Sequence, residues 1–389
     1  MRFSKNSHLI LLMLFAFSVI SILHCDKTTK LVKKPFQYVY AVSGSDVNLR
    51  ANPGINQPII EVMNNGLGLE ILDSSMMTTR EKYPNIDVLV PIYWYKVKTE
   101  NGNIGYVSRQ YVSLLFGQKK SGLIGIAEQL EKGKLNATVL SILQDGVPRE
   151  PSTYDYIKSK VISRVPKKMP VDSGLVISSN QSRLGEIKGA KFATDYTKEP
   201  EPGCWEGHYF SGIYDGVKPT SKDLILLGID DISKPSFEVT DITNQSIIKA
   251  IKELSSSKIK EKNPSEFTGR NFVCVSGDKC IYKSIKHNGF EYAISTQTVE
   301  YPDKSGHLQI FRIDKIIENR IENLYYTDSM GGKRDVPDRE TVFAITDLDN
   351  NGILEIFTVT SGYEWWWYSI YSLEQDRVIS VFRGAGGGC

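Results

Sequence analysis

Short apolar-rich runs separated by turn residues dominate this chain. Between Tyr38 and Leu115 they read YVYAV, DVNLR, IIEVM, GLGLEIL, YWYKVKT and IGYVSRQYV, at roughly regular spacing. Runs of this length rich in Val, Ile and Tyr predict strands, and their spacing predicts a small β-barrel over residues 37–116. Asn101-Gly102 lies between the last two runs and predicts a two-residue hairpin turn. The period then changes. Leu123, Ile126, Ala127 and Leu130, followed by Val139, Ile142 and Leu143, recur at helical spacing. They predict a helical connector within 117–172. From 173 to 389 strand-like runs return, among them LILLGID, FEYAISTQTV, HLQIFRID, VFAITDL, LEIFTVTS and WWYSIYSL. One helix interrupts them, Asn244–Lys262, with Ile247, Ile248, Ile251 and Leu254 on one face and Lys249, Lys252 and Glu253 on another. The expected fold class is mainly β with minor α: a barrel, a helical connector and a β-rich C-terminal domain. The closing GAGGGC reads as a loose tail.

Composition adds bounds. The 389 residues are 41% hydrophobic and 24% charged, which allows two or three domains with sizeable cores. A formal net charge of +2 gives no field that points to nucleic acid. The N-terminus reads as a processing signal. Arg2 and Lys5 precede Leu9–Leu23, fifteen residues without a charge. A spanning helix needs roughly 20 residues, so the run fits a signal core over 1–24 better. Cys25 follows at once, in ILHC. This resembles the bacterial lipobox, in which the cysteine is lipidated and opens the mature chain, although His24 stands where that family has a small residue. The resemblance implies a lipid anchor at Cys25 and an extracytoplasmic, membrane-held protein; a plain secretory signal is the other reading. Residues 25–36, rich in lysine, read as a tether.

In the predicted barrel, VNLRANPG (Val47–Gly54) and WYKVKTENGNIGYVSRQYV (Trp94–Val112) carry a more specific likeness. They resemble the opening signature and closing hairpin of bacterial SH3 domains. The resemblance implies an SH3-like barrel that binds peptides or targets its protein to the cell wall. Trp94, Tyr95, Tyr106 and Arg50 are then candidates for a peptide groove, Trp94 being equally readable as core. Tyr106 stands where the family often has tryptophan, and Asp73–Pro91 is longer than the usual connection.

DLDNNGILEI (Asp347–Ile356) concentrates oxygen donors. Asp347, Asp349 and Asn351 fall at alternate positions, Gly352 permits a sharp turn, and the Ile353 carbonyl and Glu355 could complete an oxygen shell for calcium. The twelfth position is Thr358, so this is not an EF-hand. The loop resembles the calcium loops of FG-GAP and related repeat proteins, which implies a structural ion. An Asx-rich turn without metal is the alternative.

Cys204, Cys274, Cys280 and Cys389 remain beyond Cys25, an even number that an oxidising compartment would pair. Ser276-Gly277-Asp278 predicts a turn between Cys274 and Cys280 and so favours that disulfide, leaving Cys204 for Cys389. A catalytic thiol at Cys204 with His208 or His307 is a weaker reading, because no signature of cell-wall cysteine peptidases surrounds it. In GYEWWWYSIYSL, Trp365 and Trp367 share one strand face. They could form a platform for sugar rings, or pack a core. Phosphate loops, serine elbows and zinc helices are missing from the sequence. Taken together, the sequence predicts a non-enzymatic lipoprotein that binds cell-wall peptide, glycan or an envelope protein. A wall hydrolase targeted by the barrel and a surface adhesin are the rival readings.

Overall fold

Residues 40–114 fold into eight short strands: β1 (Tyr40–Val42), β2 (Val47–Arg50), β3 (Ile59–Met63), β4 (Gly68–Ile71), β5 (Met77–Lys82), β6 (Leu89–Thr99), β7 (Ile104–Ser108) and β8 (Val112–Leu114). The computed structural model describes residues 38–82, 89–116, 121–155, 160–163, 169, 171–192, 207–229, 232–262, 280–300, 306–318, 320–332, 339–362 and 365–388. The eight strands pair in the order β3-β2-β7-β6-β4-β1-β8, with β5 on the first half of β6. Met77–Lys82, inside the long connection noted above, thus becomes an extra strand. The hairpin expected at Asn101-Gly102 joins β6 to β7. Its loop has three residues, because Thr99 and Asn103 pair across it, with Gly102 in the left-handed region at φ 89°.

Residues 122–144 are the main departure from the expected architecture. They form β9 (Gly122–Glu131) and β10 (Lys134–Gln144), two antiparallel strands and not helices. β11 (Val147–Arg149) pairs with β10, and β12 (Ser152–Asp155) with β13 (Lys160–Ser163). β14 (Gly174–Ile177), β15 (Arg183–Phe192), β16 (Tyr209–Gly216) and β17 (Leu224–Leu227) complete the sheet. Its pairings run β9-β10-β16-β15-β14-β17 and back to β9, a closed antiparallel ring. The ring closes across residue 173, so 117–172 is no separate connector.

The physical reason is two-sided burial. Leu123, Val139, Val176, Phe210, Ile225 and Leu227 fill the ring interior. Their neighbours Ile124, Ile126, Leu140, Leu143, Leu224 and Leu226 pack outward into a second core. A strand buried on both faces loses its period of two, and a continuous apolar run cannot be told from a buried helix by periodicity. The turns carried the missing signal. Lys132-Gly133 (φ 48° and 78°) and Asp145-Gly146 (φ 56° and 80°) are two-residue hairpin turns with both residues left-handed. Gly125 lies so close to Phe210 that a Cβ there would sit 2.6 Å from its ring.

The remaining strands form two meanders. β18 (Phe237–Asp241), β19 (Ile281–His287), β20 (Phe290–Glu300), β21 (Gly306–Ile317) and β22 (Arg320–Gly332) make a five-stranded sheet in sequence order. β23 (Arg339–Thr346), β24 (Leu354–Ser361), β25 (Trp365–Glu374) and β26 (Arg377–Gly388) make a four-stranded one. Alternate residues of β23–β26 serve different cores. Ile345, Ile356, Tyr371 and Val378 pack on the five-stranded sheet. Phe343, Phe357, Ile370, Ile379 and Val381 pack on the other side with residues of both barrels. From Tyr38 onward the chain is one compact unit.

The predicted helix is present as α1 (Gln245–Lys262). The Asn244 side chain caps it by accepting the Ser246 amide at 2.9 Å. Ile247, Ile251, Ser255 and Ile259 form its buried face. Beneath it the Arg312 guanidinium, fully buried, donates to both carboxylate oxygens of Asp314 at 3.1 and 2.6 Å and to Ser255 Oγ at 3.1 Å. Asn323 donates to Asp314 at 2.8 Å. Removing one partner of such a pair strands a buried charge. Asp314→Ala should therefore lower the unfolding free energy in urea by about 3–5 kcal/mol, whereas the double change Arg312→Leu with Asp314→Leu should cost far less.

Candidate functional site

The glycine-rich C-terminus is strand and not tail. β26 pairs with β25 as far as Gly388, with Trp366 opposite Gly387 and Tyr368 opposite Gly384. The glycines allow close approach: a Cβ at Gly386 would strike the Trp366 carbonyl, and one at Gly384 the Glu150 side chain. β26 thereby carries Arg383 alongside the aromatic run. Trp365 and Trp367, on one face of β25 as their spacing predicts, stack with ring centroids 4.2 Å apart and planes 3° from parallel. The Arg383 guanidinium lies 4.0 Å over the Trp367 ring. Two groups so close to one ring centroid must cover opposite faces. Trp367 therefore has no face left for a sugar ring, and Gly362 packs against the ring of Trp365.

This ladder stands beside a polar cavity of about 220 Å³ between the four- and five-stranded sheets. Phe311, Tyr325 and Tyr371 pack together at its base, with centroids 4.8 to 6.2 Å apart. Tyr325 donates to the Tyr371 hydroxyl at 3.3 Å, and Tyr371 donates to Glu340 Oε1 at 2.6 Å. Thr358 donates to the same oxygen at 2.8 Å. Burial raises the Glu340 carboxyl above its usual range despite these donors. The lining also takes in Arg109, which comes from the first barrel. Arg109 sits on the 3-10 turn after β7, donates to Ser380 Oγ at 3.1 Å and lies 5.6 Å over the Tyr93 ring. Arg383 is exposed as a residue, but desolvation of its guanidinium head, followed by the positive charge of Arg109, lowers that group from its ordinary range. A second, smaller cleft shares both arginines. Among the described residues no carboxylate forms a salt bridge with Arg109 or Arg383.

Of the four groove candidates in the first barrel, two are buried and two are partly buried cross-strand neighbours. Trp94 is 3% exposed and its indole N–H donates to Thr79 Oγ1 at 2.9 Å. Tyr95 is core, and its hydroxyl donates to the Ser380 carbonyl at 3.2 Å and accepts the Ser380 amide at 3.2 Å. Both are thus packing residues on opposite faces of β6: Tyr95 packs toward β26 and Trp94 against β5. Arg50 and Tyr106 are cross-strand neighbours, part-buried, and Arg50 donates to the Gln57 carbonyl at 2.7 Å.

The acidic loop is the turn between β23 and β24. Asp347 accepts the amides of Asn351 and Gly352 at 2.9 and 3.1 Å, and Asn351 Oδ1 accepts the Ile353 amide at 2.7 Å. Asp349 accepts from the Asn351 amide and side chain. Gln181 of the ring grips the Asp347 backbone from one side, and His287 donates to the Gly352 carbonyl at 2.8 Å from the other. Glu355 is fully buried; its Oε2 accepts from Thr346 and Leu348, and its Oε1 has no partner. Burial, then the charges of Asp349 and Asp347, push the Glu355 carboxyl well above its ordinary range. The donor set suits a hard cation: three carboxylates, one of them carrying the orphaned Glu355 oxygen, with the Asn351 amide oxygen and the Ile353 carbonyl. Yet among the described residues no group of three or more His, Cys, Asp or Glu is arranged to hold a metal.

Cys25, Cys204, Cys274 and Cys389 lie outside the described residues, as does the His307 side chain. His208 is buried, and burial lowers its pKa to about 4, so it is neutral near pH 7. No helix among the described residues is long and apolar enough to cross a membrane. The family of bacterial SH3 domains matches residues 45–113, the strands from β2 to β8. That segment is a bacterial SH3 domain. No curated protein and no solved structure matches the chain. The SH3 domain contributes Arg109 to the cavity and buries Tyr95 against β26, so its role at the site is as one wall of a larger structure. Sequence reasoning missed Arg109, Arg383, Glu340 and Tyr371; the only hint was an arginine at the head of the glycine run.

Proposed function

We propose that this chain is an extracytoplasmic lipoprotein, held to a membrane through Cys25, that binds a cell-wall peptide without chemically altering it. A cysteine directly after the apolar Leu9–Leu23 run supports the anchor, and a bacterial SH3 domain is consistent with a wall-binding module. The observation that carries the reading is the cavity itself. A cationic side chain of the SH3 domain and one of the C-terminal sheet line the same polar recess, so the binding surface includes both parts. In this reading the peptide occupies that recess. The mature chain should co-sediment with isolated cell-wall sacculi, and Arg383→Gln should weaken retention at least tenfold. Wild-type protein left wholly in the supernatant would contradict the reading.

In the same proposal calcium serves as a structural ion at Asp347, Asp349, Asn351, the Ile353 carbonyl and Glu355. The orphaned, fully buried Glu355 oxygen supports it. A Cys274–Cys280 bridge is supported by the disulfide-bonded state of Cys280. The calcium part has a pH signature. Glu355 and Asp347 both have folded-state pKa values raised, mainly by burial. Between the ordinary carboxylate range and those raised values the folded chain holds more protons than the unfolded one, so stability falls as pH rises through that window. Added calcium would favour the ionised carboxylates and reverse the fall. The melting temperature in chelator should thus drop from pH 5 to pH 7, calcium should restore it, and Asp347→Ala with Asp349→Ala should abolish the restoration. A melting temperature indifferent to calcium at pH 7 would remove the ion.

A further inference from the structure

We propose that the arginine-rimmed cavity captures the free C-terminal carboxylate of a peptide. This rests on the cell-wall-peptide reading above and adds which end of the ligand is recognised. Arg383 and Arg109 line one recess, and among the described residues neither forms a salt bridge, with Glu340 acting on both at longer range. A guanidinium presents a planar fork of donors that matches a carboxylate with two parallel bonds. Arg383 is held for this purpose. Its plane lies on Trp367, which is braced by Trp365, so little rotamer freedom remains to be lost on binding. Arg109 is likewise fixed by Ser380.

The rest of the recess narrows the ligand class. Glu340 and Asp328 also line it, so the positive charge of the two arginines is partly offset. That offset suits a single carboxylate at the arginines and disfavours a phosphate or polyanion. A volume of about 220 Å³ is below the roughly 300 Å³ at which drug-sized sites begin, so it fits a terminal residue and not a long segment. An acidic sugar would carry the same anion. Sugars gain much of their affinity from an open aromatic face, however, and both faces of Trp367 are taken. The other walls, Gln309, Thr327, Ser329 and Ser369, offer amide and hydroxyl groups that suit a peptide's N–H and C=O.

The test uses the full mature chain and an N-acetylated tripeptide library with every residue type at the last position, as free acids and as the matching C-terminal amides. Retention by the protein is read by mass spectrometry, and the strongest ligands are titrated by calorimetry. Free acids should bind at least tenfold tighter than their amides. Arg383→Gln should remove that difference, and Arg383→Lys, which keeps the charge and loses the fork, should reduce it. Arg109→Gln should weaken the acids independently, which guards against misfolding of one variant; thermal melts of each confirm the fold. Equal binding of acids and amides overturns the carboxylate. Binding of N-acetylmuramic acid with no peptide retained overturns the peptide. Sacculi that sediment the protein while no tripeptide binds overturn this inference and spare the wall-binding reading, whereas failure of both arms overturns the two together.

Discussion

The four-stranded sheet β23–β26 is buried on both faces, and the rest of the fold depends on that constraint. One face completes a sandwich with the five-stranded sheet through Ile345, Ile356 and Tyr371. The other, through Phe357, Ile370 and Ile379, shares a core with the SH3 domain and with the outer surface of the closed ring. Polar ties follow the same surfaces. Tyr40 donates to Ser372 at 2.9 Å and also bonds Glu374, while Arg377 donates to the Ile71 carbonyl at 2.8 Å. A sheet with no solvated face has nowhere to relax alone, so parts far apart in sequence are coupled through it.

That coupling decided what could be read from the sequence. The SH3 segment was legible because its strands alternate and its signature residues are local. α1 was legible because one face is polar, and its cap and buried residues fall where the spacing of Ile247 and Ile251 places them. The ring was not. Gly122–Glu131 and Lys134–Gln144 are buried on both sides, and the surviving apolar spacing coincides with a helix. The C-terminal glycines misled for a related reason. In isolation they suggest freedom, but here they let β26 lie flush against Trp366 and Glu150.

The candidate site was less legible still, because its residues are remote in the chain. Arg109, Glu340, Tyr371 and Arg383 meet only when the SH3 domain docks on the sheet. Trp94 and Tyr95 look like binding aromatics in the sequence and are core residues in the fold, Tyr95 against β26 and Trp94 against β5. The acidic loop shows in the sequence as a dense run of oxygen donors ahead of a strand, and in the fold it is the turn between β23 and β24. What the sequence could not display is that Gln181 and His287 clamp it from two other sheets, which makes it a junction as well as a turn.

A core shared this widely should make the SH3 domain and the C-terminal sheets unfold as one cooperative body. Native-state hydrogen exchange tests it most directly. Amides of β1, β6 and β7 should exchange with the same opening free energy as those of β24 and β25, and should lose protection together as urea is added. Exchange of the SH3 strands through a separate opening of markedly lower free energy, with β24 and β25 still protected, would contradict it.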